Sequence, residues 1–462
     1  MKRINVAAAA VVVTVVCGSV FAPLASAHAP STTITGPLPT SSFRISSTAA
    51  PASVSPLLAL ETAVLTRQGA SPASARHAIE VQNAVAQAGL VQSLEARMAR
   101  AFAGVWFGAT SAQLHIGVTS TASAQKAAAV AARAGLTADV TETPVHSTWA
   151  QLEAAQGQWN RKLAKLFAHA EVETALIPQR NALSVKLSSL VPGRERVVLE
   201  REASAADVAV LVSVAPASRL SVAQQATTLC NPFIPKAANC DKPITAGVTI
   251  QDTKKLCTAG PLAIPAGPTK SATFLLTAGH CVTKIGEPWF ALNRSKVESE
   301  IGRALMFSNG TKGDYGDILV SSASWTESKS KNPVFAVMAE WGTKEPLKSY
   351  PINGSQAPVM GARNCHEGQT TGESCGKIIA INVTVTFTGG PTVGGLVEDE
   401  GAKSEGGDSG GPWFSVNSKN ELLIEGTHVG KVGEMKQVYE PIATTLSNLG
   451  LELLTVGNEN RP

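Results

Sequence analysis

Apolar positions follow a different rhythm in the two halves of the chain. From about Leu57 the sequence is rich in alanine, and stretches such as Ser74 to Ala88 and Ser123 to Ala134 repeat apolar residues at helical spacing, which predicts amphipathic helices. Beyond Ala103 short β-prone runs alternate with helical ones: Gln113 to Thr119, a helix ending at Gly135, Ala138 to Val145, then a long helix opened by the capping-box pair Thr148 and Gln151. Leu183 to Ser188 and Val208 to Val214 read as further strands, so this region is expected to build small α+β modules. From Cys230 onward the pattern changes to many short Val, Ile, Thr and Leu runs broken by Gly, Pro, Asn and Lys. That pattern predicts an all-β unit, with one helical stretch at Ile442 to Leu454 near its end.

The chain has 462 residues, more than one typical domain, and 44% hydrophobic residues, enough for real cores. A net charge of +4 without any dense run of Lys or Arg argues against a nucleic-acid partner. At the N-terminus, Lys2 and Arg3 precede an apolar run from Val6 to Phe21, and Ala25-Ser26-Ala27 forms a small-residue cleavage site before His28. Residues 1–27 therefore read as a signal peptide and the product as secreted and extracellular. The apolar run is short for a bilayer span, so no membrane anchor is expected after processing. Residues 28–56 are Ser, Thr, Pro and Ala with almost no aromatics, the composition of a disordered linker.

Removing the leader takes Cys17 with it and leaves Cys230, Cys240, Cys257, Cys281, Cys365 and Cys375. An even number in an exported domain favours disulfides, and the lack of CxxC spacing argues against a metal cluster. No metal and no organic cofactor are expected.

Two motifs carry the chemistry. Gly407-Asp408-Ser409-Gly410-Gly411-Pro412 places a serine between glycines, where its hydroxyl can stand beside unobstructed backbone N–H groups. Thr277-Ala278-Gly279-His280-Cys281 lies upstream and supplies a histidine able to take the proton from Ser409 Oγ and return it to a leaving amine. A lone serine in a glycine-rich turn is ordinarily a turn residue, but six specified positions in one motif argue against that reading. The N–H groups of Gly407 and Ser409 are the expected oxyanion donors, each worth about 3 kcal/mol to the transition state.

Together these motifs, in the order His then Ser, resemble the site of chymotrypsin-like serine proteases over roughly the last half of the chain. The subgroup resembled is the secreted bacterial one of streptogrisin and α-lytic type. That resemblance implies two six-stranded antiparallel barrels in residues 226–462, a double-barrel all-β domain, preceded by an α+β pro-region at residues 57–218. Gly104-Val105-Trp106-Phe107 followed by Leu114-His115-Ile116-Gly117-Val118 resembles such pro-regions. It implies a Cys257–Cys281 bridge beneath the histidine, leaving the neighbour pairs Cys230–Cys240 and Cys365–Cys375. The hairpin Cys365 to Gly376 also resembles that subgroup. Asp408 would pair with a cation and shape the oxyanion loop.

The third member of a Ser-His-Asp triad has two candidates in Gly313-Asp314-Tyr315-Gly316-Asp317. Asp317, followed by Ile318-Leu319-Val320, resembles the acid of the wider family; Asp314, followed by Tyr315-Gly316, resembles that of the streptogrisins. The reading favours Asp317, because choosing Asp314 would leave an unpaired carboxylate at a core-facing position. For specificity, Glu425-Gly426-Thr427-His428-Val429-Gly430 falls where the family's substrate strand passes the primary pocket, and glutamate-specific members carry a similar Gly-x-His. His428, with Val429 and Gly430, is thus the candidate substrate-binding stretch for an acidic P1 side chain, and a histidine there would gain charge as the anion binds. The partners implied are a peptide or protein substrate and the chain's own pro-region. The rival reading is a catalytically weak binding or adhesion protein that keeps the protease fold.

Overall fold

A computed structural model of the chain describes residues 62, 65–66, 70–108, 112–136, 140–167, 172–188, 191–215, 243–267, 272–292, 298–326, 336–338, 348–387, 390–417, 421–432 and 436–458. Residues 1–27 and 28–56, expected above to be a signal peptide and a linker, and the expected Cys230–Cys240 pair lie outside the described residues.

Helix α1 (Pro72–Gln87) starts where the sequence supplies a start: Ser71 accepts the Ser74 N–H and proline occupies the first helical position. Helix α2 (Leu90–Met98) follows, then β1 (Phe102–Phe107), β2 (Leu114–Val118), α3 (Thr121–Arg133) and β3 (Val140–Pro144). β1 pairs antiparallel with β2, and β2 parallel with β3. Helix α4 (Trp149–Leu166) begins at the expected capping box, with both the Thr148 and the Gln151 side chains engaged. A second module has β4 (Val172–Ile177), β5 (Ala182–Ser188), α5 (Gly193–Ser204) and β6 (Ala209–Ala215).

The C-terminal half is built of strands. An eight-stranded sheet runs β23 (Leu451–Leu453), β9 (Leu262–Pro265), β10 (Phe274–Thr277), β13 (Gly313–Val320), β12 (Glu298–Gly310), β11 (Pro288–Leu292), β7 (Thr249–Gln251) and β8 (Leu256–Thr258). Ile250, Leu262, Leu275, Trp289, Ile301, Ile318 and Trp325 fill its core. The second sheet runs β17 (Arg363–Gly368), β20 (Pro412–Val416), β21 (Leu422–Lys431), β22 (Lys436–Pro441), β19 (Thr392–Glu400) and β18 (Gly372–Thr386). β17 pairs in turn with β18, so these six strands form a closed ring of hydrogen-bonded neighbours. Helix α6 (Ile442–Leu449) follows β22 and stops at Gly450, which holds a left-handed φ of 67°.

The two halves share one structure. β4 pairs antiparallel with β18 through Ile381↔Leu176 and Thr384↔Thr174, so β4, β5 and β6 extend the sheet of the C-terminal half. Leu94, Phe102, Ile116 and Val118 of the first module pack in the same cluster as Val359, Ile378, Val397, Trp413 and Tyr439. Lys186 of β5 bridges Glu173 of β4 and reaches Glu398 of β19 at 3.2 Å, and Lys436 meets the same Glu398 at 3.3 Å. Burying two carboxylates is costly, and the two lysines between them offset that cost.

Candidate active site

The strand β10 ends at Thr277 and turns at once into a single 3-10 turn, Gly279–Cys281, that lifts His280 off the sheet. The bridge Cys257–Cys281 ties this turn to β8, and Lys255 Nζ donates to the His280 carbonyl at 2.6 Å. Gly279 is required by space: a Cβ there would run into the Ser308 carbonyl and lie 2.8 Å from Asp314 Oδ1. The second disulfide, Cys365–Cys375, closes the hairpin of β17 and β18. The expected pairings of four of the cysteines are thus present.

His280 stands between an acid and a hydroxyl. Its Nδ1 lies 2.5 Å from Asp314 Oδ2, its backbone N–H donates to Asp314 Oδ1 at 2.6 Å, and its Nε2 lies 2.8 Å from Ser409 Oγ. Asp314 is 1% exposed and the His280 side chain 22%, so the acid is enclosed while the ring keeps one edge toward solvent. With Nδ1 protonated toward the carboxylate, Nε2 is left as the acceptor of the Ser409 proton.

The acid that meets His280 in this geometry is Asp314, and not Asp317, which the sequence favoured. Successive strand residues point to opposite faces, so Asp314 and Asp317, three apart on β13, cannot both face His280. Asp317 turns toward β12 where the pairing register shifts between Ala304 and Met306, and its Oδ1 accepts the Met306 N–H at 2.7 Å. Burial raises its carboxyl above the usual range, and the Met306 and Leu305 N–H groups oppose that rise. The carboxylate that seemed too costly to bury is satisfied by this irregularity, which the sequence does not display.

Ser409 sits in the loop entering β20. Gly407 has a φ of 101°, a region that favours glycine, and a Cβ on it would collide with the Gln369 amide and lie 2.7 Å from Thr370 Oγ1. Neither the Gly407 nor the Ser409 N–H is engaged by another group among the described residues. Thr258, at the end of β8, joins the two sheets here: its N–H donates to the Ser409 carbonyl at 2.8 Å and its hydroxyl to the Gly407 carbonyl at 2.7 Å. Nothing in the sequence marked Thr258.

Among the described residues, Asp408 has no cation of the expected kind within hydrogen-bond reach. Its carboxylate accepts the N–H groups of Thr370 at 2.7 Å, Thr371 at 3.2 Å and Glu405 at 2.7 Å, and the Thr371 hydroxyl at 2.7 Å. Several directed N–H donors can hold a buried carboxylate as a cation would.

Glu440, on β22, is a further residue the sequence reading missed. It is fully buried and accepts the Asp314 N–H at 2.9 Å, which fixes the backbone carrying that acid. Burial, with the neighbouring Asp314 charge, raises its carboxyl to about 8 against the opposing Asp314 N–H. From about pH 4.5 to about pH 8 the folded protein therefore retains a proton that the unfolded chain has lost, so stability falls as pH rises through that window and levels off above it. Glu440→Gln removes this dependence. Its melting temperature relative to the parent is expected to climb across the window and then stay constant, and a difference that is the same at every pH would contradict the assignment.

His428 and its neighbours are placed by the pairing of β20 with β21. The Gly410 N–H donates to the His428 carbonyl at 2.8 Å, and the His428 N–H to the Gly411 carbonyl at 2.8 Å. The serine loop and the candidate pocket strand are thus held together. Trp413 Nε1 donates to His428 Nδ1 at 3.2 Å, which leaves Nε2 as the proton-bearing nitrogen of that ring. Burial, followed by the charges of His366, His280 and Lys431, pushes His428 well below the usual histidine range. Val429 is buried beside it, 6% exposed, and Gly430 follows on the same strand.

No family model matches the chain. Among curated proteins it is 34% identical over 164 residues to serine protease 2 of Streptomyces fradiae, a match covering 34% of this chain and 80% of that one. Serine protease 1 of the same organism is 26% identical over 362 residues, 76% of this chain and 82% of that one; a match of this length reaches well ahead of residue 226. Glutamyl endopeptidase 2 of Streptomyces griseus is 28% identical over 187 residues, 39% of this chain and 85% of that one. The kinship covers most of serine protease 2, and the motifs that first suggested a protease lie together in space. The chain accordingly belongs to the chymotrypsin-like serine proteases of bacteria, as a serine-type endopeptidase acting on peptide substrates.

Proposed function

We propose that Ser409, His280 and Asp314 form the catalytic triad of this endopeptidase, and that residues 57–218 are its pro-region in a secreted zymogen. The observation that carries the triad is the His280 ring, in contact with Asp314 at one nitrogen and Ser409 at the other. His280 Nε2 takes the Ser409 proton as Oγ attacks the scissile carbonyl. The resulting oxyanion is received by the N–H groups of Gly407 and Ser409. His280 then protonates the leaving amine, an acyl-enzyme remains on Ser409, and water releases it by the same steps in reverse roles. Asp314 holds the imidazole in the tautomer this requires and stabilises its charged form.

The pro-region role is supported by β4, which lends an edge to β18 of the protease half. Long-range strand pairing is slow to form, and an edge already in place lowers that barrier. The match to serine protease 1, which extends over both halves, supports a shared organisation. The leader at residues 1–27 supports export to the extracellular space.

The P1 preference proposed is for glutamate or aspartate. His428 presents Nε2–H as a neutral donor, and a glutamyl endopeptidase is among the relatives. Digestion of a peptide library by the purified protein, beside a Ser409→Ala control, tests both parts. Cleavage after Glu or Asp that vanishes in the control is the expected result. Cleavage spread over other residues overturns the pocket assignment, and cleavage unaffected by Ser409→Ala overturns the triad.

A further inference from the structure

One buried acid behind the site takes no part in the chemical steps, yet it joins the two sheets between which the site is built. Glu440 lies on β22, is 0% exposed, and accepts the Asp314 N–H of β13 on its Oε2 at 2.9 Å. Its carboxyl packs against Gly313 where a side chain would stand, with Oε1 2.6 Å and Oε2 2.7 Å from the place of a Cβ. β22 in turn pairs with β21 through Thr427↔Glu440 and His428↔Tyr439, and the His428 carbonyl accepts the Gly410 N–H at 2.8 Å, one residue beyond Ser409. The backbone that carries the acid is thereby tied to the loop that carries the nucleophile. His280 must bridge them, at 2.5 Å to Asp314 Oδ2 and 2.8 Å to Ser409 Oγ.

This tie suits a neutral carboxyl. Oε1 has no hydrogen-bond partner among the described residues, so an ionised Glu440 would meet one donor with two charged oxygens in a dry interior. It would also face the Asp314 charge, and two carboxylates at close quarters resist joint ionisation. Of the ionisable groups on the elements around it, Asp314 is the one whose charge bears on Glu440. Tyr315 on β13, His280 on the adjoining turn, Glu425 and His428 on β21, and Glu398 and Asp399 on β19 exert no comparable influence. Helix α6 has no ionisable side chain. Burial, with the Asp314 charge, holds the proton on Glu440 up to about pH 8.

We propose that Glu440 is a positioning residue for the triad: its neutral carboxyl braces Asp314 from the second sheet, and loss of its proton to solvent opens the brace and sets an alkaline limit to turnover. The proposal rests on the triad reading given above. Beyond that limit the carboxylate is driven away from Asp314 toward water, and the 314 N–H loses its acceptor. The Asp314 carboxylate then no longer holds His280 in line with Ser409. Global unfolding does not account for the loss, because the pH dependence of stability that this group imposes levels off in the same range.

The test is kcat for a saturating peptide amide from about pH 6 to about pH 10, measured for the parent, Glu440→Gln and Glu440→Leu. Glutamine keeps a carbonyl acceptor for the 314 N–H and has no proton to lose in this range, whereas leucine removes the acceptor. In the parent, kcat is expected to fall above about pH 8, by as much as about tenfold per unit. In Glu440→Gln it is expected to match the parent at about pH 7 and to stay level to about pH 10. In Glu440→Leu it is expected to be at least about tenfold lower than the parent at about pH 7, the cost of a misplaced catalytic group. A parent whose kcat does not fall at the alkaline end overturns the proposal, whatever the variants do. So does a Glu440→Gln profile that keeps the parent's alkaline fall, or a loss in that variant that is the same at every pH, as a merely structural role would give. Should Asp314→Asn keep the parent's kcat, the triad reading fails and this inference with it. A severe loss in Asp314→Asn beside an unchanged profile in Glu440→Gln overturns this inference alone.

Discussion

Asp314→Asn is expected to lower kcat by about four orders of magnitude, the loss known for the same change in this type of triad, while Asp317→Asn leaves kcat near that of the parent. The asymmetry follows from which carboxylate the imidazole meets. An asparagine at 314 can offer its NH2 to His280 Nδ1, which then holds the wrong tautomer and presents a proton to Ser409 Oγ instead of a lone pair. The fold should survive, because Glu440 still accepts the 314 N–H and the change is nearly isosteric. Asp317 touches neither His280 nor Ser409, and accepts the Met306 N–H on the far face of β13. Its loss should appear as a lower melting temperature. Steady-state kinetics on active-site-titrated samples of both variants decide the matter, and a severe kcat loss confined to Asp317→Asn would reverse the assignment.

Gly279→Ala is expected to cost about 3 kcal/mol or more, the range of severe overpacking, and to lower turnover in whatever fraction still folds. A methyl at 279 would occupy the place of the Ser308 carbonyl oxygen on β12, and it would press on Asp314 Oδ1, the atom that receives the His280 backbone N–H. Relief requires β12 to move away from the turn that carries His280. A single added carbon therefore disturbs the packing of the sheet and the alignment of acid with base together. Gly310→Ala, near the end of the same strand, has nothing within 4 Å of its added carbon and serves as the contrast. Thermal denaturation of the pair should separate them widely, and equal stabilities would show that the turn is more compliant than its contacts imply.

Much of this arrangement was legible in the sequence because it is written in local signals. The capping box at Thr148 and Gln151, the helices over Pro72–Gln87 and Thr121–Arg133, and the glycine-flanked serine each depend on residues close in the chain. β4 escaped because it is covered on both sides by strands and buries Glu173 and Thr174 along with its apolar residues, which erases the alternation of a half-exposed strand. α5 escaped for the opposite reason: only Leu199 is buried in a helix otherwise dominated by Arg and Glu.

At the site, Ser409 and His280 could be named from their motifs, but the acid could not be settled by them. Strand alternation says that Asp314 and Asp317 face apart, and only the register with β10 and β12 says which face meets the histidine turn. The Asp-Tyr-Gly pattern at 314–316 was the available signal, and the cost assigned to a buried Asp317 outweighed it because the irregularity in β12 is a tertiary feature. Thr258 and Glu440 have the same character. Each acts through a partner far away in sequence, so no local pattern announces it.

The central claim is that Ser409 is an activated nucleophile. Treating the purified protein with a fluorophosphonate and locating the adduct by peptide mass spectrometry tests it most directly, since phosphonylation requires a serine whose proton is being withdrawn. One adduct per molecule on the peptide containing Ser409, abolished in His280→Ala, is the predicted result. No adduct on a folded, active-form sample, or an adduct on Ser409 that forms equally fast without His280, would contradict the account.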